Sequence, residues 1–340
     1  MNQLSIMYLS DNNYAPFAGI SLFSLFVNNK TIDHFDIYII DDGISSENKI
    51  KMLNLADTYD HTIVFLDMRR GIEALRNVGA PTYRGSYTTY LKLFAFNELP
   101  ETCHRVLFID SDSVVVDDVG ELADFDMQGN VICAVKDGLT QKYKVALGFD
   151  KNDAWYNMGV MLVDVDMWKS TNAEKEILNQ LKIRSAYVSV DQDLLNITQH
   201  GNIGTLHPRY NATPHHYVYS ARQFNRAFRP KGFYDDPKVT EEANMNPVIR
   251  HFERFVGESA WNENSCHPYA GLFEEYRSRS PWRDYVKRPA DPSFIFRFEK
   301  LLYLHLPKGV FIHLLSLGFN HYMLSTNKMM ISMGDVNDIS

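Results

Sequence analysis

Short apolar runs rich in Ile, Val, Leu and Phe alternate with longer segments of helical periodicity from the first residues onward. This alternation is typical of β-α-β units, in which helices connect the strands of a mostly parallel sheet. The sequence therefore predicts an α/β fold. Strands are predicted at residues 4–9, 35–40, 62–66, 105–109, 131–135 and 159–163, and helices at 16–28, 45–56, 165–183 and 191–199.

Two later segments depart from this pattern. Residues 211–247 are rich in Tyr, His, Arg and Pro with weak periodicity, which predicts a long loop region with short elements. Residues 294–330 are apolar and aromatic with scattered cations, and Pro307 and Gly309 predict at most two short helices there. This C-terminal stretch fits either a surface lying in the membrane interface beside a lipid-linked oligosaccharide or an ordinary packed helical subdomain, which is at least as frequent.

The charge balance limits the partners of the chain. Lys and Arg total 34 against 42 for Asp and Glu, a formal charge of −8 over 340 residues, which disfavours nucleic acid as a partner. Any anionic substrate must therefore be held locally, by a metal ion or by a few placed cations. Cys103, Cys133 and Cys266 lack CxxC spacing, so neither a disulfide framework nor a thiolate zinc site is predicted.

The compartment predicted from the sequence is the cytosol. The first residues, MNQLSIMYLSDNN, have no basic region and fit a strand better than a signal peptide. No apolar stretch reaches the roughly 18 residues of a membrane-spanning helix. We expect a cytoplasmic protein, with peripheral contact on the inner face of the plasma membrane if the C-terminal stretch binds lipid.

The clearest chemical signal is an apolar strand, residues 106–109, followed by Asp110, Ser111 and Asp112. Open α/β sheets bind ligands at the carboxyl ends of strands, which is where this pair of carboxylates falls. Residues i and i+2 of an extended chain share a face, so the two carboxylates can converge on one divalent cation that also binds phosphate oxygens. The alternative, the start of a solvated loop, is commoner for an isolated D-x-D motif, but the preceding apolar run favours a site. A second D-x-D pair, ending at Asp166, is more simply a helix N-cap.

Eight short segments stand in order along the chain: Ser10-Asp11-Asn-Asn13-Tyr14, Asp42-Gly43-Ile-Ser45, Thr89-Tyr90-Leu-Lys92-Leu93, Asp110-Ser-Asp112, Tyr156-Asn157-Met-Gly159-Val160, Asp191-Gln192-Asp193, Arg209-Tyr210-Asn211 and His251-Phe252. In this order and rough spacing they resemble bacterial family 8 retaining glycosyltransferases, such as lipooligosaccharide galactosyltransferases, and more distantly glycogenins. The resemblance covers residues 1–262 and implies a GT-A fold, Rossmann-like, with helices on both faces of the sheet. Residues 263–340 would form a smaller, mainly helical extension. It also implies a UDP-sugar donor and Mn²⁺, with Mg²⁺ as the second choice.

The resemblance also implies roles for individual residues. Asp110, Asp112 and His251 would be the metal ligands, a set acceptable to Mn²⁺. Asp191 and Gln192 would be the catalytic residues, supporting the positive charge that develops on the sugar. The other implied positions are Asp11 and Asn13 at the uracil base, Tyr90, Lys92 and Ser111 along the nucleotide sugar, Asn157 with Asp191 and Gln192 at the sugar, and Asp137 with Gln192 on the acceptor side.

Several of these residues also have a structural interpretation. The segment at Asp11 is equally typical of an Asx turn, and Asp191 of a helix N-cap. Lys92 alone would be an exposed lysine on a short helix, and His251 alone a packed or surface histidine. Their binding roles therefore depend on the resemblance.

Two positions depart from the family pattern. Tyr90 stands where the family usually has a donor-contacting arginine, and Lys92 is the cation nearest to it. After His251 the family usually has Gly, then a lysine that grips the diphosphate, then Pro-Trp. Here Gly257 and Trp261 remain, but the lysine is absent and Glu258 stands nearby. Arg250, Arg254 and Lys231 are the candidates to replace its charge.

The sequence thus predicts transfer of galactose or glucose from a UDP-sugar to a hydroxyl of a glycan acceptor, on a surface polysaccharide, a lipid-linked oligosaccharide or a glycoprotein. Two alternatives stay open. Asp110-Ser-Asp112 also resembles the first motif of haloacid-dehalogenase-type phosphatases, in which the first Asp attacks phosphate and the second is the acid. The absent lysine is compatible with a catalytically silent module that binds UDP-sugars.

Overall fold

A computed structural model describes residues 3–83, 85–138, 141–184, 186–228 and 236–337. Its strands are β1 (Gln3–Asp11), β2 (His34–Asp42), β3 (Thr62–Leu66), β4 (Arg105–Ile109), β5 (Ser113–Val115), β6 (Ile132–Lys136), β7 (Tyr156–Asp164), β8 (Ile203–Thr205) and β9 (Ile249–His251). Its helices are α1 (Ala15–Asn28), α2 (Ser46–Thr58), α3 (Arg69–Asn77), α4 (Thr88–Ala95), α5 (Gln141–Ala146), α6 (Val165–Ser170), α7 (Ala173–Ile183), α8 (Val190–Thr198), α9 (Pro214–Val218), α10 (Ala221–Phe228), α11 (Pro237–Met245), α12 (Ala270–Arg279), α13 (Phe294–His305) and α14 (Lys308–Asn337).

The main sheet confirms the predicted α/β fold. Across the described residues its strand order is β3-β2-β1-β4-β7-β6-β8. Strands β1 to β4 are mutually parallel, β7 runs antiparallel to both of its neighbours, and β6 pairs in parallel with β8. All the predicted strands form, each within three residues of its predicted bounds. The sheet is therefore mixed but mostly parallel.

Both faces of the main sheet are buried. Along β4, Leu107 and Ile109 pack into the core on the side of α1 and α2, whereas Val106 and Phe108 pack into the core on the side of α4, α6, α7 and α8. A strand covered on both faces needs apolar residues at every position, and this explains the continuous apolar runs of the sequence.

The segment predicted as one helix over residues 165–183 forms two helices. Asn172, between α6 and α7, has a φ of 54°, a left-handed conformation that interrupts a helix and that Asn tolerates. The N-cap predicted at Asp166 was wrong by two residues, because Asp164 is the N-cap of α6. The carboxylate of Asp164 accepts from the backbone N–H of Met167 at 2.8 Å, while Asp166 lies in the first turn and pairs with His104.

The region predicted to be a loop, residues 211–247, is more helical than its sequence indicates. It contains α9, α10 and α11, with residues 229–235, including the candidate cation Lys231, outside the described part. These helices are short and each buries only a few side chains, such as Phe224 and Phe228 of α10. Their hydrophobic periodicity is therefore too weak to predict a helix from the sequence.

The C-terminal stretch forms two helices, as predicted, but the second is not short. Pro307 separates α13 from α14, whereas Gly309 lies inside the first turn of α14, which continues for 30 residues. Phe311 and Ile312 of α14 pack with Tyr219, Phe224 and other residues in a core of their own. Among the described residues, no helix combines the length and apolarity that crossing a bilayer requires.

The proposed division at residue 262 stays a prediction. The core on the α1 side of the sheet also includes Tyr269, Phe273, Tyr276 and Trp282. The Trp282 ring lies against Gly19 of α1, where a Cβ atom would overlap the indole. Residues 269–282, which the sequence assigned to the extension, thus pack into the core of the main sheet.

Candidate active site

Asp110 and Asp112 lie between β4 and β5, at the carboxyl edge of the main sheet. The backbone N–H of Asp110 donates to the carbonyl of Gly159 at 2.7 Å. The hydroxyl of Ser111 donates to the carbonyl of Leu9 in β1 at 2.6 Å, which ties the segment to the neighbouring strand. As predicted, the two carboxylates project to one side and Ser111 to the other.

A second, two-stranded sheet brings His251 to this pair from far along the chain. β9 pairs antiparallel with β5, so that His251 stands opposite Ser113. Its Nε2 lies 3.2 Å from Oδ1 of Asp112 and 3.9 Å from Oδ2 of Asp110. Its Nδ1 lies 3.0 Å from Oδ1 of Asn211. When Nδ1 carries the proton and donates to this amide, Nε2 is left as a lone pair that faces the carboxylates.

These three residues fit a divalent cation. One ligand atom from each of Asp110, Asp112 and His251 lies within 4.8 Å of the others. The space beside them depends on Gly159, because a Cβ atom there would lie 2.9 Å from Oδ2 of Asp110 and closer still to the His251 ring. Two carboxylates and one imidazole suit Mn²⁺ and also Mg²⁺. The arrangement thus has both the ligand chemistry and the room that a metal site needs.

Lys92 is buried at the centre of the site, not exposed on its helix. Its side chain is 4% exposed, and Nζ lies 2.5 Å from Oδ2 of Asp191 and 3.8 Å from Oδ1 of Asp110. Nζ also donates to the carbonyl of Met158 at 2.9 Å. That carbonyl is available because the pairing of β6 with β7 shifts register between Ala134 and Val135. The ammonium group therefore links Asp191, a predicted catalytic residue, to Asp110, a predicted metal ligand.

A chain of hydrogen bonds runs from the metal ligands to the predicted sugar and acceptor residues. Oδ1 of Asn157 accepts from Nδ2 of Asn211 at 2.8 Å, and Nδ2 of Asn157 donates to Glu253 at 2.8 Å. Nε2 of Gln192 donates to Oδ2 of Asp137 at 3.0 Å. These partners fix the amide orientations and leave a cluster of donors and acceptors suited to sugar hydroxyl groups.

Glu253 was not among the predicted residues. It is two positions after His251 in an extended segment, so both side chains lie on one side of the chain, and this spacing was the available signal. Burial, with Asp137 as a second carboxylate nearby, raises the pKa of Glu253 to about 7 even though His251 lowers it. Asn211, within a recognised segment but without a predicted role, is the other residue that only the fold revealed.

Without a cation, the site has an excess of buried carboxylates. Burial raises the pKa of Asp110 to about 6, against the opposing effect of Lys92 and His251. Burial works against the imidazolium of His251, but Asp112, Glu253 and Asp110 outweigh it and raise the pKa of His251 to about 9. Both shifts indicate a pocket that favours added positive charge, which a divalent metal would supply.

Three other predicted residues, Asp11, Asn13 and Tyr90, do not line the cavity beside Asp110 and His251. Asp11 is the last residue of β1 and Asn13 follows it, and Oδ1 of Asp11 accepts from the backbone N–H of Tyr14 at 2.8 Å, as in an Asx turn. Tyr90 is 2% exposed and packs in the core beneath the site. Tyr90 does not line the cavity, whereas Thr89 and Lys92 of the same helix do.

The candidates for the absent lysine have other partners. Arg250 donates to the hydroxyl of Tyr269 at 2.9 Å and to the carbonyl of Asn244 at 2.8 Å, on the side of β9 opposite His251. Arg254 lies 3.6 Å from Asp291. The carboxylate of Glu258 pairs with Lys300 of α13 at 2.5 Å, which neutralises the acid that stands near the absent lysine.

The site surrounds a cavity of about 270 Å³. Its wall brings together Lys92, Asp110, Asn157, Asp191, Gln192, His251 and Glu253. Most of the residues predicted for the metal and the sugar thus meet in one place. They come from five separate parts of the sequence, and the chemistry they support is the binding of a cation and of a polyhydroxylated ligand.

Comparison with known proteins agrees with this arrangement. The family profile described as "Glycosyl transferase family 8" matches residues 5–264. General stress protein A of Bacillus subtilis (strain 168) is 26% identical over 287 residues, covering 82% of this chain and 94% of that protein. Lipopolysaccharide 1,2-glucosyltransferase of Escherichia coli (strain K12) is 26% identical over 307 residues, covering 89% and 85%. The crystal structure of the galactosyltransferase LgtC in complex with donor and acceptor sugar analogs has a TM-score of 0.65 at 22% identity, covering 83% and 99%, and shows a shared fold.

Proposed function

This chain belongs to glycosyltransferase family 8, and from that premise we propose that it moves galactose or glucose from a UDP-sugar to a glycan hydroxyl with retention of the α configuration. Its fold is the GT-A fold of its structural neighbours, and it is a glycosyltransferase of the hexosyl type. The donor, the metal and the acceptor are parts of the proposal. The observation that carries it is the convergence of Asp110, Asp112 and His251 beside the sugar-binding cluster.

The residues present match the needs of a diphosphate leaving group. Asp110, Asp112 and His251 would hold a divalent ion, which when bound would supply Lewis-acid stabilisation of the charge on the departing diphosphate, worth several kcal/mol. Lys92 holds Asp191 in place through its 2.5 Å ion pair. Asp191 and Gln192 then face the sugar, where a carboxylate stabilises developing positive charge and an amide binds hydroxyl groups. Holding donor and acceptor in one cavity lowers the barrier further.

No side chain is assigned as a covalent nucleophile. In the proposed reaction the acceptor hydroxyl attacks from the face that UDP leaves, and the leaving phosphate oxygen takes its proton. Asp137, held by Gln192 at 3.0 Å, would position the acceptor. Glu253 lies between this end and the metal ligands, with Nδ2 of Asn157 at 2.8 Å, and is a further candidate to contact the acceptor.

The test is Mn²⁺-dependent hydrolysis of UDP-galactose and UDP-glucose, together with thermal shift on adding UDP. A ligand present at 100 times its Kd stabilises the fold by about 2.7 kcal/mol, so UDP with Mn²⁺ is expected to raise the melting temperature more than either alone. Asp112→Asn is expected to lower the Mn²⁺-dependent hydrolysis at least 100-fold. The matched control is Asp166→Asn, in the second D-x-D pair, whose carboxylate pairs only with His104 among the described residues. Absence of any shift with UDP or UDP-sugars plus Mn²⁺ would contradict the proposal.

The two alternatives are separated by the same measurements. Membership of family 8 leaves the phosphatase interpretation without support, and Asp110 follows the fourth strand of the chain rather than the first. A silent UDP-sugar-binding module would show the thermal shift without hydrolysis or transfer. A cytoplasmic location on the inner face of the membrane stays part of the proposal.

A further inference from the structure

A second cavity, of about 800 Å³, adjoins the candidate active site. It lies between the sheet and the helices α10, α13 and α14, and we call it the C-terminal groove. Most of its wall is apolar, with Phe228 of α10, Phe255, Phe296 and Leu302 of α13, and Phe311 and Leu315 of α14. The groove exists because α13 and α14 fold back over residues that precede α11 and follow β9.

The C-terminal groove is continuous with the active-site cavity. Asn157, Ser189, Gln192 and Glu253 line both. Asp137, the predicted acceptor residue, lies at the same end of the groove. A molecule that fills the groove therefore has one end at the point where the sugar would be transferred, which is the place of the acceptor and not of the donor.

The two ends of the groove differ in chemistry. At the inner end, Asp137, Gln192 and Glu253 offer hydrogen-bonding groups to sugar hydroxyls. Toward the outer end the wall consists largely of Phe and Leu side chains. The charged residues on the groove wall outside the inner end are Arg254, which pairs with Asp291, and Glu299. A peptide there would find few partners for its backbone N–H and C=O groups, whereas a hydrocarbon chain needs none. The groove therefore suits a polar head joined to a long aliphatic tail.

The outer mouth of the groove is also apolar. Ile295 and Phe298 of α13 and Tyr322 of α14 line it, yet are 70%, 48% and 58% exposed. Apolar side chains at the rim of an apolar groove allow a chain longer than the groove to leave it without meeting buried polar groups.

We propose that the acceptor is a glycolipid whose sugar head reaches Asp137 and Gln192 while the first part of its hydrocarbon tail lies in the C-terminal groove. This inference rests on the proposed function, because it assigns the acceptor of that same transfer. Under this proposal the lipid tail contacts one groove and only the part of α13 and α14 that lines it. General adhesion to a membrane surface would instead involve all the exposed apolar residues of these helices.

The direct test is calorimetric titration of the full chain with n-dodecyl β-maltoside below its micelle-forming concentration, against methyl β-maltoside as the tail-free probe. We expect one saturable site with a Kd at least tenfold lower for the dodecyl compound, since each buried methylene contributes about 0.8 kcal/mol. In Gly318→Trp, an indole added to a helix position that lines the groove and has open space around it would fill the groove. The Kd for the dodecyl compound should rise at least tenfold.

The matched control is Gly271→Trp, on α12, where the space around the Cβ position is equally open but lies outside the groove. Both substitutions replace a helical Gly by a better helix former, so the fold is expected to persist, which circular dichroism verifies. An unchanged Kd in Gly318→Trp, or no saturable binding by the wild type, overturns the proposal.

A second pair of variants distinguishes binding in the groove from binding to a general apolar surface. Phe298 lines the groove and Leu301 does not, although both lie on α13 and are 48% and 52% exposed. Phe298→Glu should weaken dodecyl maltoside binding at least tenfold and Leu301→Glu less than twofold. Equal losses would overturn the proposal in favour of a nonspecific apolar face.

Donor hydrolysis by the wild type distinguishes failure of the glycolipid-acceptor proposal from failure of the proposed function. Mn²⁺-dependent hydrolysis of a UDP-sugar without tail binding leaves the proposed function in place and removes the glycolipid acceptor. Tail binding without any UDP-sugar binding or hydrolysis removes the proposed function, and with it the role of the groove as an acceptor site.

Discussion

At the scale of single residues, Lys92 is the buried cation that offsets the negative charge of the surrounding carboxylates. It is 4% exposed on its side chain and lies 2.5 Å from Asp191 and 3.8 Å from Asp110. Burial alone would lower the pKa of Lys92, but Asp110 and Asp191 outweigh that effect and raise it, so the lysine is held charged. A buried charge of this kind has little value for stability by itself. Its value here is positional, because it fixes the carboxylate of Asp191, which faces the sugar in the proposed reaction.

Lys92→Met is therefore expected to reduce kcat for UDP-sugar hydrolysis at least 100-fold. The loss arises because Asp191 loses the cation that orients it, and because two carboxylates remain buried without that partner. The control is Lys144→Met, a lysine 2% exposed whose Nζ donates to the carbonyl of Asp153 at 2.6 Å. It should lower the melting temperature while leaving kcat within about twofold. Equal kcat in the wild type and Lys92→Met would show that Asp191 needs no positioning.

At the scale of secondary-structure elements, short strands and helices position the side chains of the site. β5 and β9 have three residues each, and their antiparallel pairing places His251 opposite Ser113, next to the D-x-D segment. The helices around β9 are also short, and α9 has five residues. Helices of this length are not stable alone in water. Their stability must come from caps and from tertiary burial.

α9 shows how such a cap depends on protonation. His216, 3% exposed, accepts a hydrogen bond through Nδ1 from the backbone N–H of Thr213 at 3.2 Å. Burial, together with the neighbouring His215 and Arg250, lowers the pKa of His216 to about 3. The unfolded chain, with a histidine pKa near 6.5, takes up this proton first. The free energy of unfolding from this group is therefore complete above pH 6.5 and is lost as the pH falls toward 3.

His216→Gln removes the titration but keeps an acceptor at the third position of the helix. The variant is expected to lose less stability than the wild type as the pH falls, by about 1.4 kcal/mol per pH unit below pH 6. Urea unfolding of both proteins at pH 7, 6, 5 and 4 measures the difference. Parallel stability curves for the two proteins would mean that the pKa of His216 is the same in the folded and unfolded states, and would contradict the prediction.

At the scale of the whole molecule, the extension is joined to the sheet domain by both packing and charge. Phe311 and Ile312 of α14 share a core with Phe255, four residues after His251. Lys300 of α13 pairs with Glu258 at 2.5 Å. This favours the packed-subdomain interpretation for the inner side of the C-terminal helices. Their outer side still exposes large apolar residues, including Phe294 and Leu304 at 83% and 58%.

Phe311→Ala should lower the free energy of unfolding by about 3 kcal/mol or more, the usual cost of removing a buried phenyl ring. Phe311 is 1% exposed, so little relaxation of the surroundings is expected. Phe294→Ala, at 83% exposure, should change the free energy by less than about 0.5 kcal/mol. Urea denaturation measures both. Similar values for the two variants would show that the extension contributes no core to the fold.

The overall charge of −8 is now explained at the site. Asp110, Asp112, Asp191 and Glu253 line or adjoin one cavity in which Lys92 is the buried ammonium group. In the proposed function, a cation at this site would offset these carboxylates before a diphosphate binds. The charge balance of the sequence and the geometry of the site both favour a cation as partner.

The sequence alone determined the sheet and the position of Asp110 and Asp112, the first two predicted metal ligands. Continuous apolar runs can be buried only between two layers, and a D-x-D motif after such a run must lie at the carboxyl edge, so local pattern was sufficient. The ordered segments further identified the family and His251. The tertiary structure decided what depends on contacts distant in sequence: the burial of Lys92, the entry of Glu253 and Asn211 into the site, the withdrawal of Tyr90 into the core, and the groove under α13 and α14. A side chain's neighbours across the fold set its charge and orientation, and no local periodicity encodes them.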